Sequence, residues 1–113
     1  GLGGITEYLK VVALAQANFI PVVNHVWGSA LSIALNLHLL TAMPDMPGGL
    51  FPAKPMLEFD TTNNNIFISD LAEEKFDIFD LVKKNNGFIK SLEGDGIGIN
   101  PSKDFIKKYE VIK

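Results

Sequence analysis

His25 closes a short apolar run, Ile20-Pro21-Val22-Val23-Asn24, and Trp27-Gly28-Ser29 follows before a second apolar stretch begins. A nearly continuous apolar run of this length reads as a parallel strand covered on both faces. In parallel α/β folds the loops beyond the carboxyl ends of the strands converge on one mouth, and chemistry collects there. A histidine at that end is the first candidate, because imidazole takes up and releases protons near neutral pH. Glu58 stands near the end of a second short run, Pro55-Met56-Leu57-Glu58-Phe59-Asp60. If the two strands are parallel, both side chains point to the same rim. Each residue alone has an ordinary reading: a loop histidine, and a solvated carboxylate at a strand end.

The elements that must position this pair are legible around it. Glu7 to Ala17 reads as a helix, with Thr6 as N-cap, Glu7 in a first turn that favours a carboxylate, and Asn18 at its end. Leu9, Val12, Ala13, Gln16 and Ala17 recur at helical spacing. The preceding Gly3-Gly4 suits either a turn or an anion cradle. Pro21 falls among the first residues of the Ile20–Asn24 strand, where no ladder donor is needed. Ser29 to Ala42 reads as a helix apolar on most sides, which needs cover from a sheet and from other helices. Pro44 stops it, and 45–55, rich in proline and glycine, reads as a loop. Helix, strand, helix, strand in this order implies an α/β fold with parallel pairing through a crossover.

The texture changes after Asp60. Ile66 to Lys75 has room for a short helix. Phe79–Lys83 and Phe88–Leu92 flank Asn85-Asn86-Gly87, and Asn-Gly between two apolar runs predicts a β-hairpin. Gly94-Asp95-Gly96-Ile97-Gly98 reads as a turn rather than a phosphate loop, because no helix opens directly after it. Asn100-Pro101 caps a last helix, Ser102 to Tyr109, with Pro101 in its first position. The soft boundary divides the chain into 1–60, of βα texture, and 61–113, a tail.

Composition narrows the function classes. A net charge of −3 offers no electrostatic case for nucleic acid or an anionic membrane. The absence of cysteine removes disulfides and thiolate chemistry, and it fits a reducing, cytoplasmic setting. The apolar stretch from Ala30 to Met43 is broken by Ser32, Asn36, His38 and Thr41, and falls short of the ~20 residues that span a bilayer. Asp45, Asp60 and Asp95 are scattered and form no metal cluster. His38 is expected to pack or hydrogen-bond within its helix region. A start at Gly1 rather than Met is expected from cleavage or truncation.

Taken together, several of these residues resemble a known family. Gly3-Gly4-Ile5-Thr6-Glu7, Ala13-Leu14-Ala15, Ile20-Pro21-Val22 with His25, Trp27-Gly28-Ser29-Ala30, Leu37-His38-Leu39, Leu57-Glu58-Phe59-Asp60 and Gly94-Asp95-Gly96-Ile97-Gly98 resemble the C-terminal part of the mandelate racemase/muconate lactonizing enzyme family, within the enolase superfamily. The resemblance covers almost the whole chain. It implies a (β/α) TIM-type barrel under a capping domain, and such a barrel takes ~250 residues. This chain would supply helix six, strand seven, helix seven and strand eight, then a tail with a hairpin and a short helix.

The resemblance also implies roles. His25 aligns with the general base or acid of the mandelate racemase-like branch. Glu58 aligns with a glutamate that hydrogen-bonds the substrate carboxylate and the developing enediolate. Trp27, Gly28 and Ser29 would shape the turn over the rim, within reach of substrate. A histidine in place of a lysine base favours the racemase-like branch, where acid-sugar dehydration is the first expectation for the parent enzyme and racemisation another. The enolase superfamily is itself the standard example of a Lys or His base working with Mg²⁺ on an ene-diolate. The lysine base, three Mg²⁺ carboxylates and the aspartate partner of the histidine would lie outside these residues. The isolated chain is therefore expected to hold no metal and to be inactive. An alternative is a structural or interaction module. Under either reading, unpaired sheet edges and apolar faces predict a homo-oligomer.

Overall fold

The computed structural model describes residues 2–45, 53–62, 65–73 and 76–111. Its elements run α1 (Ile5–Ala17), β1 (Val23–Val26), α2 (Ala30–Thr41), β2 (Met56–Phe59), α3 (Ile66–Ser69), α4 (Ile78–Lys84) and α5 (Lys103–Tyr109). β1 and β2 pair in parallel, with Val23, Asn24, His25 and Val26 opposite Met56, Leu57, Glu58 and Phe59. The parallel α/β arrangement expected from the order of elements is therefore present, as a two-stranded sheet among the described residues.

α1 begins two residues earlier than Thr6 as N-cap would allow. Its N-cap is Gly4, which makes no side-chain cap, and Thr6 lies inside the helix. Glu7 does occupy the first turn and Asn18 the C-cap. β1 begins later than Ile20. The Ile20 amide donates to the Ala15 carbonyl at 2.9 Å, so that residue still belongs to the helix end. Phe19 adopts a left-handed φ of 57° there. Pro21 follows without an amide to give, and pairing starts at Val23. α2 opens as expected, with Ser29 as N-cap accepting from the Ser32 amide.

α2 lies across one face of the sheet. Ala30, Ile33, Ala34 and Leu37 are buried with Val26, and the same core takes in Ile68, Ala72, Phe76, Ile78 and Ile99 from the second half. A smaller cluster of Tyr8, Val12 and Met43 joins α1 to the end of α2. His38 donates through Nε2 to the Ile97 carbonyl at 3.1 Å, since a carbonyl can only accept. That bond ties α2 to the glycine-rich turn, where Gly94, Gly96 and Gly98 all have positive φ.

The predicted hairpin is absent. Phe79–Lys83 is helical, and no strand forms over 88–92. Local chemistry explains the change. Asp77 Oδ1 accepts from the Asp80 amide at 2.9 Å, an N-cap, and Lys84 reaches Asp80 at 2.6 Å one turn back. Asn85-Asn86-Gly87 ends this helix instead of turning a hairpin. The Gly87 amide returns to the Val82 carbonyl at 2.9 Å, with φ of 51° at Asn86 and 86° at Gly87. The last helix is also capped differently. Ser102 Oγ accepts from the Phe105 amide at 3.2 Å. Pro101 lies before the helix, bridged to Ala72.

Within 45–55, Lys54 reaches back to Asp45 at 2.8 Å, while 46–52 lie outside the described residues. The helix expected over Ile66–Lys75 covers Ile66–Ser69, and 74–75 are outside the described residues. Among the described residues no helix is long and apolar enough to cross a membrane.

Candidate functional site

Strand alternation sorts the sheet residues into two sets. Asn24 and Val26 face α2 and are buried. Val23, His25, Met56 and Glu58 share the opposite, exposed face. The both-faces cover expected of these strands is therefore half present among the described residues: α2 covers one side, and Val23 and Met56 stay about half exposed on the other.

His25 and Glu58 are direct partners in the ladder. Their side chains meet on the open face, with His25 Nδ1 3.4 Å from Glu58 Oε2. The imidazole is 61% and the carboxylate 70% exposed, so an ion pair here is screened and adds little stability. At 3.4 Å the contact is looser than a well-formed hydrogen bond. The imidazole is thus oriented by the carboxylate without being locked to it. Its Nε2 has no partner among the described residues and is left for an incoming group. A base and a carboxylate side by side at the end of two parallel strands can share the work of moving a proton and holding an anion.

The loops leaving the two strands meet beyond their carboxyl ends. Trp27 is exposed at the rim. Gly28 is constrained by close approach, since a Cβ there would stand 3.0 Å from Ser32 Oγ. Its carbonyl accepts from Asn65 Nδ2 at 3.3 Å, which ties the loop after β2 to the loop after β1. Asn65 also caps α3, its Oδ1 accepting from the Phe67 amide at 3.0 Å. Asp60 accepts from the amide and hydroxyl of Thr62 at 2.8 and 2.7 Å. Those two bonds hold its carboxyl below the usual range. Trp27, Gly28, Ser29, Asp60, Thr62 and Asn65 line a groove along this rim, closed by Ile66 and Phe67.

The structure thus brings His25 and Glu58 together and places Trp27, Gly28 and Ser29 at a groove formed by the loops that follow the two strands. Sequence reasoning missed Asp60, Thr62, Asn65 and Phe67 as groove residues. The available signal was Asp60-Thr61-Thr62, an Asx-turn pattern directly after a strand.

Among the described residues no group of three or more His, Asp or Glu is placed to hold a metal ion. Mg²⁺ demands near-octahedral oxygen ligation. One imidazole and one carboxylate do not fit that requirement.

Residues 1–105 match the family described as enolase C-terminal domain-like. The chain belongs to this family. The resemblance read from Gly3-Gly4 through Gly98 is borne out, as the C-terminal part of mandelate racemase/muconate lactonizing enzymes within the enolase superfamily. A curated relative, the D-galactarolactone cycloisomerase of Agrobacterium fabrum (strain C58 / ATCC 33970), is 31% identical over 111 residues. The match covers 98% of this enolase C-terminal domain-like chain and 28% of the cycloisomerase. The chain therefore spans little more than a quarter of the length of that relative.

Proposed function

We propose that this chain is the C-terminal quarter of a (β/α) barrel in a mandelate racemase-like enzyme. In this reading α1 is helix six, β1 strand seven, α2 helix seven and β2 strand eight. The enzyme removes a proton from carbon α to a carboxylate of an acid sugar. The observation that carries the reading is the His25–Glu58 pair, side by side across a parallel ladder at 3.4 Å on the open face.

His25 takes the α-proton through its free Nε2, and the C–H electron pair moves into the substrate carboxylate to give an enediolate. Glu58 hydrogen-bonds that carboxylate as its charge grows. To donate such a bond its carboxyl must carry a proton. Dehydration follows when a β-hydroxyl leaves with a proton as water. The name of the cycloisomerase relative favours a second outcome of the same first step, isomerisation of an acid-sugar lactone. No described residues here fit Mg²⁺, so in this reading such an ion is held outside them, and the 113 residues alone are expected to be inactive.

The test is α-proton exchange into D₂O by the full protein, supplied with Mg²⁺ and offered aldonic acids, aldaric acids and galactarolactone. Exchange that disappears in His25→Asn supports the reading. Exchange untouched by that substitution overturns it, and turnover by the isolated chain overturns the inactivity.

The open face favours a further role for the isolated chain as a self-associating module. Val23 and Met56 flank the site pair there, and Ile5, Leu9 and Leu14 are exposed on α1. Exposed apolar side chains of this kind favour association. The isolated chain is expected to dimerise, and a clean monomer in light scattering at micromolar concentration would overturn that.

A further inference from the structure

Asn24 precedes His25 in β1 and points the opposite way. It is 6% exposed, the one polar side chain among the buried residues described. Both ends of its amide are used. Tyr8 Oη on α1 donates to Asn24 Oδ1 at 2.7 Å. Asn24 Nδ2 donates to Asn36 Oδ1 on α2 at 2.9 Å, and Asn36 Nδ2 donates to the Ser32 carbonyl at 2.8 Å.

The orientation of both amides follows from the end of this chain of bonds. The Ser32 carbonyl can only accept, so Asn36 turns its Nδ2 to it and its Oδ1 to Asn24. Asn24 must then present Nδ2 to Asn36 and Oδ1 to Tyr8. Met43 Sδ also lies 2.8 Å from the tyrosine oxygen, but thioether sulfur is the weaker acceptor and the amide takes the proton. One residue of β1 is thereby bonded to both flanking helices.

An apolar side chain of similar size would fill this space in several small shifts of the strand. A buried amide tolerates only the arrangement that satisfies all its bonds. Because side chains alternate, a one-residue slip of β1 would send Asn24 to the open face and His25 under α2. The two requirements are linked through the pleat: Asn24 in the helix layer means His25 on the open face.

We propose that Asn24 is a positioning residue for His25, its amide held by Tyr8 and Asn36 so that β1 keeps the register and pleat that set His25 across from Glu58. The inference rests on the role proposed for His25, but its test reads geometry rather than turnover.

The experiment follows the histidine ¹³Cε1–¹H signals of the full protein labelled at that carbon. Glu58→Gln is expected to displace the His25 signal, because it removes the carboxylate 3.4 Å from Nδ1. His38, bonded to the Ile97 carbonyl, serves as the internal control that does not move. In an Asn24→Val background the Glu58→Gln displacement of His25 is expected to collapse while the His38 signal holds. The full displacement persisting in folded Asn24→Val protein overturns the proposal. If Asn24→Val does not fold, Tyr8→Phe, which removes a single bond of the network, decides by the same criterion. Absence of His25-dependent proton exchange would refute the proposed chemistry alone and leave this spectral result standing.

Discussion

His25 and Glu58 are partners in a parallel ladder, and their side chains meet at 3.4 Å on the one sheet face that α2 leaves open. Proton transfer and carboxylate recognition are assigned to different members of this pair, so their substitutions are expected to differ. His25→Asn removes the base and should lower kcat by ~10²–10⁴, the usual range for a positioned acid or base. Glu58→Gln keeps shape and a donor, and should cost at most ~10²–10³. The double variant should fall well short of the product, because the two act on one substrate carbon. Single-turnover and exchange kinetics on the full protein check all three.

Tyr8 predicts an alkaline loss of stability. Burial raises its hydroxyl above the ordinary value of 10.0. Between the unfolded and folded values the native state holds a proton that the unfolded chain has released. Stability is therefore fully present below the unfolded value, falls as pH rises above about 10, and is lost through the raised folded value. Urea midpoints measured between pH 8 and 11 should show this fall. Tyr8→Phe should flatten the part of it that comes from this hydroxyl.

Gly98 and Gly87 separate backbone strain from collision. Both have positive φ, 77° and 86°. A Cβ at Gly98 would stand 2.7 Å from Leu92 Cβ and 3.0 Å from the Glu93 carbonyl oxygen, whereas none would be met at Gly87. Gly87→Ala should cost about 1 kcal/mol, from backbone conformation alone. Gly98→Ala should cost more, ~2–3 kcal/mol, because strain and overpacking add. Thermal unfolding of the two variants side by side gives the comparison.

Ile33 and Trp27 lie close in sequence and far apart in burial. Ile33 is 0% and Trp27 78% exposed. Ile33→Ala should destabilise by ~2–5 kcal/mol through lost burial and a cavity under α2. Trp27→Ala should leave stability within about 0.5 kcal/mol. If substrate reaches the rim groove, Trp27→Ala raises KM instead. Chemical denaturation reads the first pair of effects and steady-state kinetics the third.

The sequence by itself determined the segments with dense local signals. Ser29 before a long apolar run, Asn18 after one, and two short apolar strands specify α1, β1, α2 and β2 to within three residues at each end. It also offered the candidate pair, a histidine and a glutamate near the ends of two strands joined by a helix, while the register of the ladder decided that they face the same way. Tertiary structure decided the rest. The run around Asn85-Asn86-Gly87 reads as a hairpin from its local pattern, and the structure makes it a helix terminus. The burial of Ile78 in the core it shares with α2 settled it as a helix, in agreement with the Asp77 cap and the Asp80–Lys84 pair, which are local signals. Asn24 read as one polar residue in an apolar strand. Only the arrival of Tyr8 and Asn36, 16 residues before it and 12 after, made it satisfied and specific. The same holds for Asn65, whose bond to the Gly28 carbonyl spans 37 residues. Local propensity acts over one turn or one pleat and is written in adjacent residues. A buried hydrogen bond between distant residues exists only after the chain has folded around it, so no spacing in the sequence announces it.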